Sequence, residues 1–150
     1  MSLKLQIEAD IKKAMLAREK NALKALRAIK SMILLAETEK GGSGDVSEDT
    51  GLKLLMKAVK QRKDSAQIYK DQGRDDLLAV EEAEIAVIEK YLPQQLSEAE
   101  IRVELEKIIA QTGASGPQDM GKVMGMASKA LSGKADGKTI SVIVKSILVG

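Results

Sequence analysis

The sequence of 150 residues contains no cysteine and no histidine. The lack of cysteine excludes disulfide bonds, thiolate nucleophiles and thiolate metal sites, and it suits a reducing compartment. The lack of histidine removes the side chain whose ordinary pKa allows proton exchange near neutral pH. Acid–base chemistry would require carboxylates or lysines with shifted pKa values, and a serine nucleophile would require a lysine partner. These absences favour a chain that binds rather than catalyses.

Aromatic side chains are almost missing, since there is no phenylalanine or tryptophan and the only tyrosines are Tyr69 and Tyr91. Their scarcity disfavours β-strands and nearly excludes the aromatic platforms on which single-stranded bases stack. The apolar residues are mainly leucine, isoleucine, valine, alanine and methionine. Because good helix formers dominate this set, the composition predicts an all-α fold.

Long apolar runs are also missing. No stretch of about 18 uncharged apolar residues is present, so we expect no membrane-spanning segment. The first ten residues lack the basic region followed by an apolar stretch that marks a secretory signal. Hydrophobic residues make up 44% and charged residues 31% of the sequence, as in folded globular proteins. We therefore predict a cytoplasmic protein without a membrane partner.

Apolar residues recur every three or four positions up to residue 92 and predict four helices. We expect Asn21 to cap the second helix and Ser47 to cap the third. Gly73 predicts a left-handed stop for the third helix, and Pro93 ends the fourth. The segment 41–45, which contains three glycines, predicts a loop between the second and third helices.

The rest of the sequence predicts three further helices. Ser97 and Glu100 have the spacing of a capping box at the start of the fifth helix, which stops near Gly113. Pro117 fits the first turn of the sixth helix, and Asp136 is placed to cap the seventh. We therefore predict a four-helix N-terminal subdomain, residues 1–92, followed by a compact three-helix C-terminal subdomain, residues 93–150.

Charge is unevenly distributed, although the net charge is only +2. From Lys4 to Lys30 eight basic residues occur with three acidic ones, and from Gly113 to the end five lysines occur with two aspartates. Both stretches predict modest basic surfaces. Such a surface is more often a solvated face than a nucleic-acid site. Without aromatic platforms, any RNA ligand would be folded RNA recognised by its backbone and shape.

Two segments invite a catalytic or metal-binding interpretation, and the sequence disfavours it for both. The fourth helix carries six carboxylates that could hold Mg²⁺, but they fall on the polar positions expected of a solvated face: Asp75, Asp76, Glu81, Glu82, Glu84 and Glu89. The segment 133–138 lacks the spacing of a phosphate-binding loop, although Lys134 and Lys138 beside a helix start could attract an anion. We predict no catalytic residue, no metal site and no cofactor.

Six motifs in this sequence are similar, in order and spacing, to those of the GatB/YqeY family. They are Leu26–Ser31, Val59–Ser65, Gly73–Leu77, Glu89–Ser97, Asp119–Met124 and Gly133–Gly137. The resemblance covers essentially the whole chain. It implies kinship with the C-terminal helical tail of the B subunit of tRNA-dependent amidotransferases, which convert Glu-tRNA(Gln) or Asp-tRNA(Asn) to the amidated form.

The resemblance implies that such a tail contacts tRNA. It also implies kinship with carbon–nitrogen ligases that use glutamine as the amide donor. The catalytic parts of those enzymes lie outside the tail, and nothing in this sequence matches them. We therefore expect kinship with the ligases without catalysis by this chain.

The resemblance to the tail is strongest from Gly121 to Asp136, and it implies RNA contacts there. Lysines would meet phosphates, and glycines would let the backbone approach closely. The residues so assigned are Lys122, Lys129, Lys134, Lys138, Gly121 and Gly133. A second candidate cluster consists of Lys60, Arg62, Lys63 and Arg74.

We expect a non-catalytic tRNA-binding or accessory protein, with tRNA as its main partner. The alternative is a protein-interaction module that docks on an amidotransferase subunit or another protein. Methionine side chains adapt readily to partner surfaces, and the C-terminal part offers three of them: Met120, Met124 and Met126. Packing in the core is nevertheless the more common role of such methionines.

Overall fold

A computed structural model describes residues 2–39 and 46–149 of the chain, and in those two ranges it contains seven α-helices and no strand. The prediction of an all-α fold is confirmed. The chain divides into two compact units, Met1–Leu92 and Pro93–Gly150. The loop predicted at 41–45 lies outside the described residues. Within those ranges no helix combines the length and apolar character that crossing a bilayer requires.

The first unit contains four helices: α1 (Leu3–Ala17), α2 (Lys20–Glu39), α3 (Glu48–Asp71) and α4 (Asp75–Glu89). The predicted cap of α3 is confirmed, since the Ser47 hydroxyl accepts a hydrogen bond from the Thr50 amide at 3.2 Å. Gly73 adopts the left-handed conformation, with a φ of 68°, and separates α3 from α4 as predicted. Polar side chains and a glycine therefore set the helix ends.

The predicted cap of α2 is wrong, because α2 begins at Lys20, before Asn21. The carbonyl of Glu19 already accepts the first helical hydrogen bond, from the amide of Leu23 at 2.9 Å. Arg18 takes a left-handed φ of 56° and ends α1 in a tight turn. The connection is therefore too short for Asn21 to lie outside the helix, and its side chain is exposed in the first turn.

One core joins the four helices of the first unit. Ile7 of α1, Ile29 of α2, Leu55 of α3 and Ile88 of α4 are each at most 1% exposed and belong to the same apolar cluster. Full burial of one such side chain contributes about 1.5–3 kcal/mol to folding. The apolar spacing along the four helices therefore converges on a shared interior.

Glu84 of α4 is buried, with only 2% of its surface exposed, so its predicted place on a solvated face is wrong. Its Oε1 accepts a hydrogen bond from Nε of Arg62 on α3 at 3.3 Å, and its Oε2 lies 3.8 Å from Nζ of Lys24 on α2. Arg62 also donates from Nη1 to the Ala58 carbonyl at 3.0 Å. A buried carboxylate is tolerated only when it is paired, so these contacts connect three helices through one charge.

A second polar contact connects the start and the end of this unit. Tyr91, just after α4, donates a hydrogen bond from its phenol to the carboxylate of Asp10 on α1. Burial, followed by the hydrogen bond and the charge of Asp10, raises the pKa of the Tyr91 phenol above its ordinary value. The contact therefore requires the protonated phenol.

The second unit contains α5 (Glu98–Thr112), α6 (Met120–Ala130) and α7 (Gly137–Val149). The predicted capping box is confirmed by two reciprocal hydrogen bonds of 3.1 and 3.2 Å between Ser97 and Glu100. Gly113 ends α5 with a φ of 70°, and the Asp136 carboxylate caps α7 by accepting from the Thr139 amide at 2.6 Å. The core of this unit is centred on side chains that are fully buried: Leu105, Val123 and Val144.

The sixth helix begins later than predicted. Pro117 starts a separate 3-10 turn, Pro117–Asp119, and α6 follows from Met120. The Asp119 amide donates to the Gly116 carbonyl at 3.0 Å, which closes the tighter turn. The Asp119 carboxylate accepts from the amides of Ser115 and Gly116 at 3.0 and 3.4 Å and holds the preceding chain in place.

We expect Glu84→Ala to lower the free energy of unfolding of the first unit by about 3 kcal/mol, because it leaves the largely buried Arg62 without its counter-charge. Urea denaturation followed by tyrosine fluorescence measures this, since both tyrosines lie in the first unit. Glu82→Ala, at an exposed position of the same helix, is the matched control and should stay within about 0.5 kcal/mol of the parent. Equal losses in the two variants would contradict the role of the ion pair.

We expect the contribution of the Tyr91–Asp10 hydrogen bond to stability to be full below about pH 10, the ordinary pKa of tyrosine, and to decline above it. The contribution declines with rising pH because folding raises the pKa of the Tyr91 phenol, so the phenol ionises at a lower pH in the unfolded chain than in the folded one. Tyr91→Phe should cost about 1 kcal/mol at pH 8 and less at pH 11. Comparing the urea midpoints of the parent and the variant at both pH values separates this effect from lysine titration. A difference that stays constant with pH would rule it out.

Candidate nucleic-acid interface

The lysines assigned to RNA contact in the second unit all lie at its surface. Lys122 and Lys129 are on α6, Lys134 is in the turn before α7, and Lys138 is on α7, each with its side chain exposed. Lys122 and Lys129 are seven residues apart and therefore share one helix face. Across residues 2–39 and 46–149, none of these four lysines forms an ion pair with a carboxylate.

Lys145 extends this basic set, although the resemblance did not assign it to RNA contact. It is exposed on α7, seven residues after Lys138, so both lysines lie on the same side of that helix. It too has no ion-pair partner in the part of the chain that the structure describes. The repeated seven-residue spacing is the signal that would have identified it. The five lysines, Lys122, Lys129, Lys134, Lys138 and Lys145, are called the lysine set below.

Two members of the lysine set lie at helix starts, where a positive charge is unfavourable. Lys122 is the third residue of α6 and Lys138 the second of α7, and neither first turn contains an acidic residue. The nearby carboxylates of Asp119 and Asp136 are already hydrogen-bonded to backbone amides. Because these carboxylates already offset the partial positive charge of the helix starts, an anion there would be attracted mainly by the lysine side chains.

The two glycines assigned to close RNA approach occupy different environments. Gly121 is exposed on α6, and apart from its chain neighbours and the backbone of its own helix no atom lies within 4 Å of the place where a Cβ would be. Gly133 is buried, with a φ of 75°, and its carbonyl accepts a hydrogen bond from Gln95 Nε2 at 2.6 Å. The next carbonyl, of Lys134, accepts from the Leu96 amide at 3.0 Å. Gly133 therefore shapes the turn that presents Lys134.

The second candidate cluster lies in the first unit, and carboxylates engage most of it. Arg62 is bound to buried Glu84 and is only 13% exposed, and Lys63 lies 3.8 Å from Glu89. Lys60 is exposed and has no ion-pair partner among the described residues. These three residues therefore form no continuous unpaired basic surface.

Arg74, the fourth member of this cluster, is also paired. Its Nε and Nη2 donate to the two carboxylate oxygens of Asp76, each at 3.1 Å. These hydrogen bonds lower the pKa of the Asp76 carboxyl and raise that of Arg74. Because the forked contact uses two guanidinium donors, Arg74 has fewer left for a phosphate.

The basic stretch near the N-terminus is partly neutralised in the same way. Four of its lysines approach carboxylates at 3.3–4.0 Å, and only the Asp10–Lys13 pair has a spacing that the sequence alone could suggest. The other pairs are Lys4–Glu37, Lys24–Glu84 and Lys30–Glu8. They form because α2 packs against α1 and α4. The positive surface predicted from composition is therefore weaker than the residue count suggests.

The carboxylates of α4 do not converge on a metal site. In the two described ranges, no group of three or more aspartate or glutamate side chains is arranged to hold a metal ion. Glu84 faces the interior and is paired with Arg62 and Lys24, whereas Asp75, Asp76 and Glu82 are exposed. The expectation that the chain uses no metal and no cofactor stays a prediction.

Sequence comparison finds relatives in fungi. A protein of Meyerozyma guilliermondii is 37% identical over 132 residues, which cover 82% of this chain and 65% of the relative. One of Lachancea thermotolerans is 34% identical over 113 residues, or 74% of this chain and 60% of the relative. One of Pyrenophora tritici-repentis is 29% identical over 147 residues, or 95% of this chain and 79% of the relative. This chain therefore spans less than two thirds of the length of the Meyerozyma and Lachancea relatives.

The names of these relatives overturn one prediction. All three are called "Altered inheritance of mitochondria protein 41, mitochondrial". The cytoplasmic address expected from composition is therefore wrong, because the relatives are named as mitochondrial proteins. Absence of cysteine and of a long apolar run does not distinguish one reducing compartment from another.

A family model supports the same relationship over nearly the full length. The model described as "Yqey-like protein" matches residues 4–148, which include all helices of both units. The match also spans all six motifs that carry the resemblance seen in the sequence. The chain belongs to the YqeY-like protein family.

Proposed function

We propose that this chain is a non-catalytic tRNA-binding or accessory protein related to glutamine-dependent tRNA amidotransferases, and that the lysine set contacts the RNA backbone. The observation that carries the proposal is the state of those lysines. All five are exposed, and none has an ion-pair partner in residues 2–39 and 46–149. Their charges therefore need no carboxylate to be displaced before a phosphate binds.

The chemistry of the lysine set favours a polyanion with regularly spaced charges. Phosphate contacts position a protein on a nucleic acid and supply much of its affinity through release of counterions. Each lysine pair, on α6 and on α7, spans two turns of its helix, or about 10 Å. Because the sequence has no phenylalanine or tryptophan, stacking on splayed bases contributes little. Folded RNA, recognised by its backbone and shape, is therefore the expected ligand.

We interpret the link to carbon–nitrogen ligases as kinship rather than as an activity of this chain. The sequence contains neither histidine nor cysteine, and its described carboxylates form no metal-binding group. A nucleophile and its base would have to be a serine and a lysine. All five members of the lysine set are exposed to solvent, where a lysine keeps its proton at neutral pH. We therefore assign tRNA binding to the chain and leave amide transfer to partner proteins.

Docking on a protein is the second candidate function, and exposed apolar side chains of the second unit favour it. Val103 of α5 is 51% exposed, Val142 of α7 is 60% exposed, and Met126 of α6 is 39% exposed. An amidotransferase subunit is the partner that the family resemblance suggests. Recovery of one protein partner from lysate after RNase treatment would favour this candidate over RNA binding.

We expect purified protein to bind total tRNA, including tRNA from mitochondria, with an affinity that falls linearly on a log–log plot against salt concentration. Removing three phosphate contacts should reduce the slope by about two to three units, since each contact contributes about 0.7–0.9. The test variant is Lys122→Ala/Lys129→Ala/Lys134→Ala, measured by filter binding or fluorescence anisotropy over a salt series.

The matched control removes three lysines of the first unit that are exposed and unpaired within the described ranges: Lys12, Lys20 and Lys57. This Lys12→Ala/Lys20→Ala/Lys57→Ala variant loses the same charge and should keep the parent slope. Equal slopes for the two triple variants would contradict the assignment of the lysine set. Failure to bind tRNA at low salt, or equal binding of an unrelated polyanion, would contradict the function itself.

A further inference from the structure

The first unit contains a cavity that the proposed RNA contacts do not use. Its volume is about 340 Å³, and its walls come from α1, α2, α3 and Tyr91. Four apolar side chains contribute to its lining: Leu3, Ile33, Leu52 and Leu55. Ligand sites in proteins span about 300–1,000 Å³, so this cavity is at the small end of that range and suits a small ligand.

The lining of the cavity also includes a carboxylate that is only half satisfied, that of Glu37 on α2. Glu37 Oε2 accepts a hydrogen bond from Lys4 Nζ at 3.3 Å, and the Glu37 side chain is 16% exposed. Its other oxygen, Oε1, is buried and has no hydrogen-bond partner among residues 2–39 and 46–149. Buried polar atoms are nearly always hydrogen-bonded, so this oxygen marks a place for a donor that the described part of the chain does not supply.

The charges around the cavity favour a cation. Among the residues that the structure describes, Glu37 and Glu48 line it together with one ammonium group, that of Lys4. Lys4 is already paired with Glu37, so an anionic ligand would meet an excess of carboxylate. The neutral polar side chains that line it are Ser2, Gln6, Ser47 and Tyr91. Ser47 donates to Thr50 Oγ1 at 2.9 Å and Tyr91 donates to Asp10, so neither hydroxyl donates to Glu37.

We propose that this cavity binds a small ligand with a protonated primary amine at one end and a short apolar chain at the other. The ammonium group donates a hydrogen bond to Glu37 Oε1 and so completes the coordination of that carboxylate. The apolar chain packs against Leu3, Ile33, Leu52 and Leu55. This site lies in the first unit and involves none of the lysine set, so a test of it does not depend on whether the chain binds RNA.

The probe that tests the proposal is 3-methylbutylamine, titrated into the full-length ¹⁵N-labelled protein and followed by NMR. We expect saturable amide shifts at the residues that line the cavity. Glu37→Gln should weaken binding about tenfold or more, the size of a lost charge-assisted hydrogen bond. The matched control is Glu39→Gln, which removes the same charge from an exposed position of α2 and should bind like the parent.

A second ligand and a second variant keep the test decisive if Glu37→Gln alters folding. 3-Methylbutan-1-ol has nearly the same shape without the charge and should bind about tenfold more weakly or worse. Leu52→Phe narrows the cavity at a partly exposed position and should weaken the amine without touching Glu37. Absence of saturable shifts, as expected if water alone meets Glu37 Oε1, would overturn the proposal. Equal affinity for amine and alcohol, or unchanged binding in both variants, would overturn it too.

Discussion

The buried carboxylate of Glu84 constrains the first unit, because a charge in the interior must be neutralised by groups that reach it. The Glu84 side chain is only 2% exposed and is paired with Arg62 of α3 and Lys24 of α2. Helices α2, α3 and α4 must therefore pack so that these three side chains meet. The same requirement removes Arg62 from the surface. A basic residue that belongs to a family motif therefore serves the fold, and the first unit loses part of the positive surface that its composition suggests.

The two units differ in how far their basic residues are paired with carboxylates. Basic residues of the first unit repeatedly meet carboxylates of neighbouring helices, as Lys4 meets Glu37 and Lys30 meets Glu8. The lysine set of the second unit has no such partners in the described ranges. Lys122 and Lys138 even occupy helix starts that disfavour cations. Local features that oppose stability are expected at functional positions, which supports the proposal that these lysines contact RNA.

Local signals predicted most of the fold; local turns explain the two helix starts that were wrong, and long-range contacts explain the unexpected burial of Glu84. Capping by Ser47, by Ser97 with Glu100 and by Asp136 depends on residues three apart, so spacing was sufficient. The cap at Asn21 failed because Arg18 turns the chain earlier. Burial of Glu84 and the engagement of Arg62 with it depend on the packing of α3 against α4, which periodicity does not reveal. The half-satisfied Glu37 lies in a cavity that three helices form together.

Crosslinking of the protein to RNA in living cells, followed by sequencing, tests most directly whether the chain acts by binding tRNA. The parent is compared with the variant in which Lys122, Lys129 and Lys134 are alanine. We predict that tRNA dominates the RNA crosslinked to the parent and that the variant loses most of it while remaining folded. Recovery of no RNA above background, or equal recovery of tRNA by the two proteins, would contradict this account of the molecule.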